Sequence, residues 1–146
     1  MKLILWLLAA FVPAAIGAPF TGPGYYGRLS KPDWAPPPSV FGPVWTVLYA
    51  LMGIAAWRVA GREGSTGALR LWGLQLALNA AWTPIFFGLR APGAALVTIV
   101  AMWLAIAATT AAFFGRRASA GLLMLPYLAW VTFATVLNFE IWRRND

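Results

Sequence analysis

The sequence predicts an all-α fold, an integral membrane bundle of five transmembrane helices, and three observations predict it. The composition is 61% hydrophobic and only 10% charged over 146 residues, far from the balance of a soluble domain. The charges fall in clusters and leave runs of 25, 24, 19, 25 and 22 residues, at 3–27, 34–57, 71–89, 91–115 and 118–139, close to the ~20 residues a helix needs to cross a bilayer. Within those runs the few polar residues recur at helical spacing rather than at random. The chain therefore reads as a single domain, 1–146, located in a membrane as a multi-pass protein. Its spans are expected at roughly 3–20, 43–60, 68–89, 92–114 and 119–142, with a lid-like loop over 20–42.

A formal charge of +7 raises the question of nucleic acid, but the eleven basic residues are spread over every loop and both ends. That distribution is one of headgroup anchors, and no nucleic-acid partner is expected. Five spans put Lys2, Arg58, Arg62, Arg70, Arg116 and Arg117 on one side and Arg28, Lys31, Arg90, Arg143 and Arg144 on the other. Six against five does not set an orientation by the positive-inside rule. The chain has no Cys and no His, which excludes disulfides and thiol chemistry.

The first span opens with Lys2 and the apolar block LILWLLAAFV, then Pro13 and small residues to Ala18. This resembles a secretory signal, but Pro19 directly follows the natural cleavage point and the apolar character continues beyond it, so an uncleaved span is expected. Pro13, Gly17 and Pro19 should loosen its second half. From Phe20 to Gly42 glycines and prolines forbid a regular helix over most of the segment, and Pro36–Pro38 favours extended geometry. A connection of that length is more often a lid or binding element than a plain linker. Its rings Tyr25, Tyr26 and Trp34 suit either an interfacial belt or the cover of a pocket. The second span is expected to start at Pro43, a good first-turn residue, with Trp45, Tyr49, Met52 and Ala56 on one face.

The third span carries the most informative stripe. Gln75, Asn79, Trp82 and Phe86 follow at steps of four, three and four, so an amide and aromatic face runs down one side. An unpartnered amide in hydrocarbon costs roughly 2–7 kcal/mol, so this face should meet other helices or a cavity. Pro84 frees the carbonyl of Ala80 and should kink the helix beside Asn79. In the fourth span Ala101, Ala105, Ala108 or Thr109, and Ala112 form a small-residue stripe suited to close helix approach, within the chain or between two chains. The fifth brings Tyr127, Trp130, Ala134 and Asn138 onto adjoining turns and contains Pro126. Arg143 and Arg144 close it, where cations suit headgroups and the helix dipole.

No phosphate loop, metal constellation, triad or carboxylate pair is present. Asp33, Glu63, Glu140 and Asp146, the four acids, lie in loops or near span ends, which argues against a proton- or ion-coupled transporter. The remaining chemistry is aromatic and amide faces on the second, third and fifth spans, the makeup of a pocket for a flat hydrophobic ligand. Trp6, Trp57, Trp72 and Trp142 read as belt and core. Trp45, Trp82 and Trp130 read as pocket.

KPDWAPP, GPVWTVLYALMG, QLALNAAWTPIFFG and PYLAWVTFATVLNFEIWRRN together resemble the translocator protein or tryptophan-rich sensory protein family, also called the peripheral benzodiazepine receptor family, in order from Lys31 to Asn145. The resemblance implies a bacterial member of a five-helix family, in the cell envelope, commonly homodimeric. It also implies binding of protoporphyrin and other tetrapyrroles, sterols and synthetic hydrophobic ligands, with light-dependent porphyrin breakdown attributed to bacterial members. Carried over by position, the ligand-binding residues are Trp45, Tyr49, Asn79, Trp82, Ala134 and Leu137. The lid and the aromatic faces add Trp34, Phe86 and Trp130. Trp45 and Trp130 are the positions associated with porphyrin breakdown, the candidates for a catalytic role. Ser39 departs from a Trp common at its position, and Phe139 replaces the Tyr of the sterol motif, which weakens the sterol expectation. No metal site and no resident cofactor are expected. Without His or Cys at an iron, and with Met52 and Tyr49 not spaced as axial ligands, binding should rest on stacking, with Asn79, Arg28 or Lys31 at the polar edge. Metal-free protoporphyrin should then bind at least as tightly as haem.

Overall fold

The computed structural model describes residues 2–21 and 23–145, apart from the side chain of Pro23. Gly22 of the predicted loop and the two terminal residues of the 1–146 domain lie outside the described residues. All regular structure among them is helical. Leu3–Ala10 (α1), Val12–Gly17 (α2) and a 3-10 turn at Ala18–Phe20 make up the first span. A short helix, Pro23–Arg28 (α3), lies in the connection. Four long helices follow: Pro38–Val59 (α4), Thr66–Thr83 (α5) continued by a π turn at Pro84–Gly88, Pro92–Arg116 (α6) and Ala118–Asn145 (α7).

Local chemistry explains these bounds. α1 gives way to α2 at Phe11, ahead of Pro13, which has no N–H to offer the Ala9 carbonyl. α4 begins five residues before the expected Pro43. Pro37 is extended (φ −67°, ψ 155°) and Pro38 takes the first helical position, where a missing N–H costs nothing. Pro43 then lies inside the helix, on an exposed stretch, and denies a partner only to the Ser39 carbonyl of the exposed first turn. At Pro84 the ladder widens instead of breaking. Leu89 N–H reaches the Pro84 carbonyl at 2.9 Å, a π turn of the kind that absorbs a local defect.

α1 packs on α4 and α2 on α5, whereas α4 and α5 scarcely meet each other. α4 packs on α7, α7 on α6 and α6 on α5, so the bundle is a ring that the first span closes by bridging α4 and α5. Two glycines permit that bridge. A Cβ at Gly53 would come within 3.1 Å of the Leu7 Cα, and one at Gly17 within 3.0 Å of Thr83 Cγ2.

The outer face carries exposed Ile4, Leu8, Val47, Leu74, Val97, Leu104, Leu122 and Val136, far more exposed apolar surface than a soluble monomer keeps. The first span, α4, α6 and α7 are each long and apolar enough to cross a membrane. α5 carries Arg70, Gln75 and Asn79, and with its π turn covers Thr66–Gly88, over 30 Å at ~1.5 Å per residue. The protein is a multi-pass integral membrane protein. The α6 stripe divides: Ala105 and Thr109 are buried within the chain, while Ala101 and Ala108 face outward.

Candidate functional site

Where α4 and α5 stand apart, the ring encloses a cavity of about 490 Å³, within the ~300–1,000 Å³ typical of small-molecule sites. It occupies the half of the bundle nearer the 20–42 connection. Of the sequence-predicted residues, Trp45, Tyr49, Asn79, Trp82, Phe86, Trp130, Ala134 and Leu137 all line it. Trp34 does not. It is 47% exposed, and its ring meets Phe133 of α7 edge-on at 5.6 Å between centroids.

The walls are aromatic. Trp82 stacks on Phe86 at 4.9 Å and 23°, Trp45 lies 5.4 Å from Tyr49, and Phe41 meets Trp130 at 6.1 Å. The π turn matters here, because its wider turn brings both Phe86 and the adjacent Phe87 to the lining. No charged residue is among the described lining residues.

The polar groups form two closed relays. Tyr49 Oη donates to Asn79 Oδ1 (3.0 Å), Asn79 Nδ2 donates to Tyr127 Oη (2.8 Å), and Tyr127 Oη donates to Gln75 Oε1 (2.7 Å). Gln75 Nε2 approaches Met52 Sδ at 4.0 Å. In the second relay Trp82 Nε1 donates to Asn138 Oδ1 (2.9 Å) and Asn138 Nδ2 to the Pro92 carbonyl (2.9 Å). The amide stripe of α5 is thus met by tyrosines of α4 and α7. Asn79, 4% exposed, cross-links three helices and also touches the cavity, so the stripe meets other helices and a cavity at once. Among the described residues one fully buried donor is left over: Trp130 Nε1 is covered by the protein and has no acceptor.

The charges expected at the ligand's polar edge are elsewhere. Lys31 Nζ donates to the carbonyls of Tyr26 (2.7 Å) and Leu29 (3.2 Å) and lies over the Tyr26 ring. Neither it nor Arg28 lines the cavity. Tyr26 donates to the Pro36 carbonyl (2.9 Å), and burial raises its hydroxyl above the ordinary tyrosine value, which keeps it a donor. Met52 is fully buried behind the wall, and the thioether that reaches the lining belongs to Met102.

The sequence reading missed the contribution of the first span, Phe11, Pro13, Ala14, Gly17 and Ala18. The signal was its run of small residues with Pro13, read as a loosened helix and not as a wall. It also missed Phe41, counted as loop because α4 was started too late.

Fold and site together define a multi-pass membrane protein with an uncharged, aromatic-walled cavity inside its helix ring. Comparison with known proteins makes this particular: the TspO/MBR family model matches residues 3–143, and the chain belongs to that family. It is 48% identical over 142 residues to the tryptophan-rich sensory protein of Cereibacter sphaeroides, covering 97% of this chain and 90% of that one. It is 43% identical over 146 residues to the human translocator protein (94% and 86%). It is 39% identical over 145 residues to protein CrtK of Rhodobacter capsulatus (97% and 91%).

Proposed function

We propose that the protein is a membrane receptor that senses tetrapyrroles, protoporphyrin above all, and other flat hydrophobic molecules by holding them in this cavity. The names of the relatives, sensory protein and translocator protein, support a receptor-like role. The observation that carries the reading is the combination of rings stacked on the wall and a lining without charge among the described residues. A large π system gains burial and ring contacts on such walls. Trp45, Tyr49, Trp82, Phe86, Ala134 and Leu137 form the contact surface in this reading, and Asn79 holds Tyr49 in place.

The test is titration of the purified protein in detergent with protoporphyrin in the dark, followed at the Soret band. A saturable, shifted, stable band is expected, and an unshifted band rejects the reading. Haem in a parallel titration should bind no more tightly, with no spectrum of protein-ligated iron. A second reading is favoured by Trp45 and Trp130 lining the same cavity: an indole passes an electron to a photoexcited porphyrin, which hands it to dissolved dioxygen as superoxide. The porphyrin then re-reduces the indole radical, and the porphyrin radical so formed combines with the superoxide, both oxygen atoms ending in the opened ring. Loss of the band under illumination with appearance of new products, abolished in Trp45→Phe or Trp130→Phe, would select it.

A further inference from the structure

The end of the bundle remote from the cavity gathers positive charge that no ion pair among the described residues neutralises. Loop 60–65 joins α4 to α5, and a tight link at Arg117 joins α6 to α7. Gly61, Arg62, Glu63, Gly115 and Arg116 enclose a small polar recess between them. Two bonds tie the loops together: Arg62 Nε donates to the Arg116 carbonyl at 3.3 Å, and Arg116 Nη1 to the Glu63 carbonyl at 3.4 Å. Arg58 Nη1 reaches Ser119 Oγ at 3.4 Å across the same pair of helix ends. These guanidinium groups converge although like charges repel, and their protein partners are neutral oxygens. Among the described residues the only ion pairs are those of Glu140 with Arg143 and Arg144, at the opposite end. Glu63, the one acid at this end, contributes its carbonyl.

Gly64 shows that the arrangement is built. Its φ is +75°, a conformation open to glycine and costly for other residues, and a Cβ there would lie 2.9 Å from Arg116 Nη1. The backbone therefore makes room for the guanidinium to lie against it. Arginine forks held this way match the paired oxygens of a phosphate. Beside the recess, Phe114 near the end of α6 and Leu122 near the start of α7 are exposed, an apolar surface on which acyl chains can lie. We propose that this recess binds the phosphodiester headgroup of an anionic phospholipid, with Arg62 and Arg116 as the phosphate clamp and Arg58 and Arg117 supplying further positive field.

The experiment is native mass spectrometry of the full chain released from neutral detergent with equimolar phosphatidylglycerol and phosphatidylcholine. The parent should retain phosphatidylglycerol preferentially. Arg62→Gln/Arg116→Gln should reduce that preference on the order of tenfold or more, as the loss of two lipid-facing cations implies. Arg143→Gln/Arg144→Gln, at the far end, should keep it. Gly64→Ala changes no charge but displaces Arg116, and it should also lower the preference. Circular dichroism of each variant establishes that the helices remain. Full preference in the Arg62/Arg116 double variant overturns the proposal. So does full preference in Gly64→Ala, which would reduce the effect to general surface charge. Displacement of the lipid by millimolar inorganic phosphate overturns it as well, in favour of a soluble phosphate.

Discussion

Trp130 and Asn79 face the same cavity in opposite hydrogen-bonding states, and substitutions at the two should part company. Asn79 accepts from Tyr49 and donates to Tyr127. Asn79→Leu strands the Tyr49 hydroxyl and removes the bond that Tyr127 accepts, while Tyr127 keeps its bond to Gln75, at about 1–3 kcal/mol for the group left unsatisfied. Its thermal unfolding in detergent should fall clearly and porphyrin affinity should fall with it. Trp130→Phe removes a donor that has no acceptor in the free protein, so unfolding should stay within about 1 kcal/mol of the parent. Porphyrin affinity in the dark should change by less than about threefold, because that N–H is covered in the free protein and the phenyl ring keeps the aromatic wall. Equal stability losses in both variants would refute this division. Ala134→Phe fills the cavity from α7 and should exclude porphyrin while sparing smaller ligands, as read in the same titrations. Much of this wall was legible in the sequence because an amide in a span has to find company. Spacing could not supply the partners: Tyr49 and Tyr127 come from helices 30 and 48 residues away from Asn79.

The elements show why the bounds were harder to read than the spans. Apolar length announces a membrane helix whatever its neighbours do. Its first residue depends on which of several prolines takes the start, and here Pro38 does so because Pro37 is extended. The connection read as a lid contains α3, and it is tied down at two places. Tyr26 is bonded to Pro36. Asn145, the last residue of α7, exchanges two bonds with the Ser30 backbone, Ser30 N–H to Oδ1 at 3.0 Å and Nδ2 to the Ser30 carbonyl at 2.9 Å. A pair this far apart in sequence and this exposed is a fastening that no periodicity could reveal. Asn145→Ala should free the connection without altering the cavity wall. Stopped-flow mixing should then show faster ligand association and dissociation together, with Kd changed less than about threefold, since one exposed bond pair contributes little to the ground state. Unaltered association and dissociation rates would mean that this fastening does not govern access.

At the scale of the whole molecule, the first span explains how a closed ring can admit a bulky ligand. Its two halves lean on different partners, α1 on α4 and α2 on α5, so beyond Pro13 the span turns away from α4. Small exposed residues stand on both sides of the gap, Ala14, Ala18 and Thr21 on the first span and Gly42 and Thr46 on α4, and all five also line the cavity. An opening at this gap would face sideways, toward lipid, and under the proposed function an apolar ligand dissolved in the bilayer would reach the rings without crossing water. Gly42 is the place to test this. A Cβ added there meets nothing within 4 Å and the position is exposed, so Gly42→Trp should fold into the bundle while its ring obstructs the gap. Association of protoporphyrin delivered from preloaded liposomes to protein in proteoliposomes should slow by about tenfold or more, the order expected when an access step rather than contact energy is changed. Affinity at equilibrium should move far less, because the deep wall of Trp82, Phe86 and Trp130 is untouched. If the rate holds in Gly42→Trp but rises in Asn145→Ala, the ligand passes beneath the 20–42 connection and not between the first span and α4.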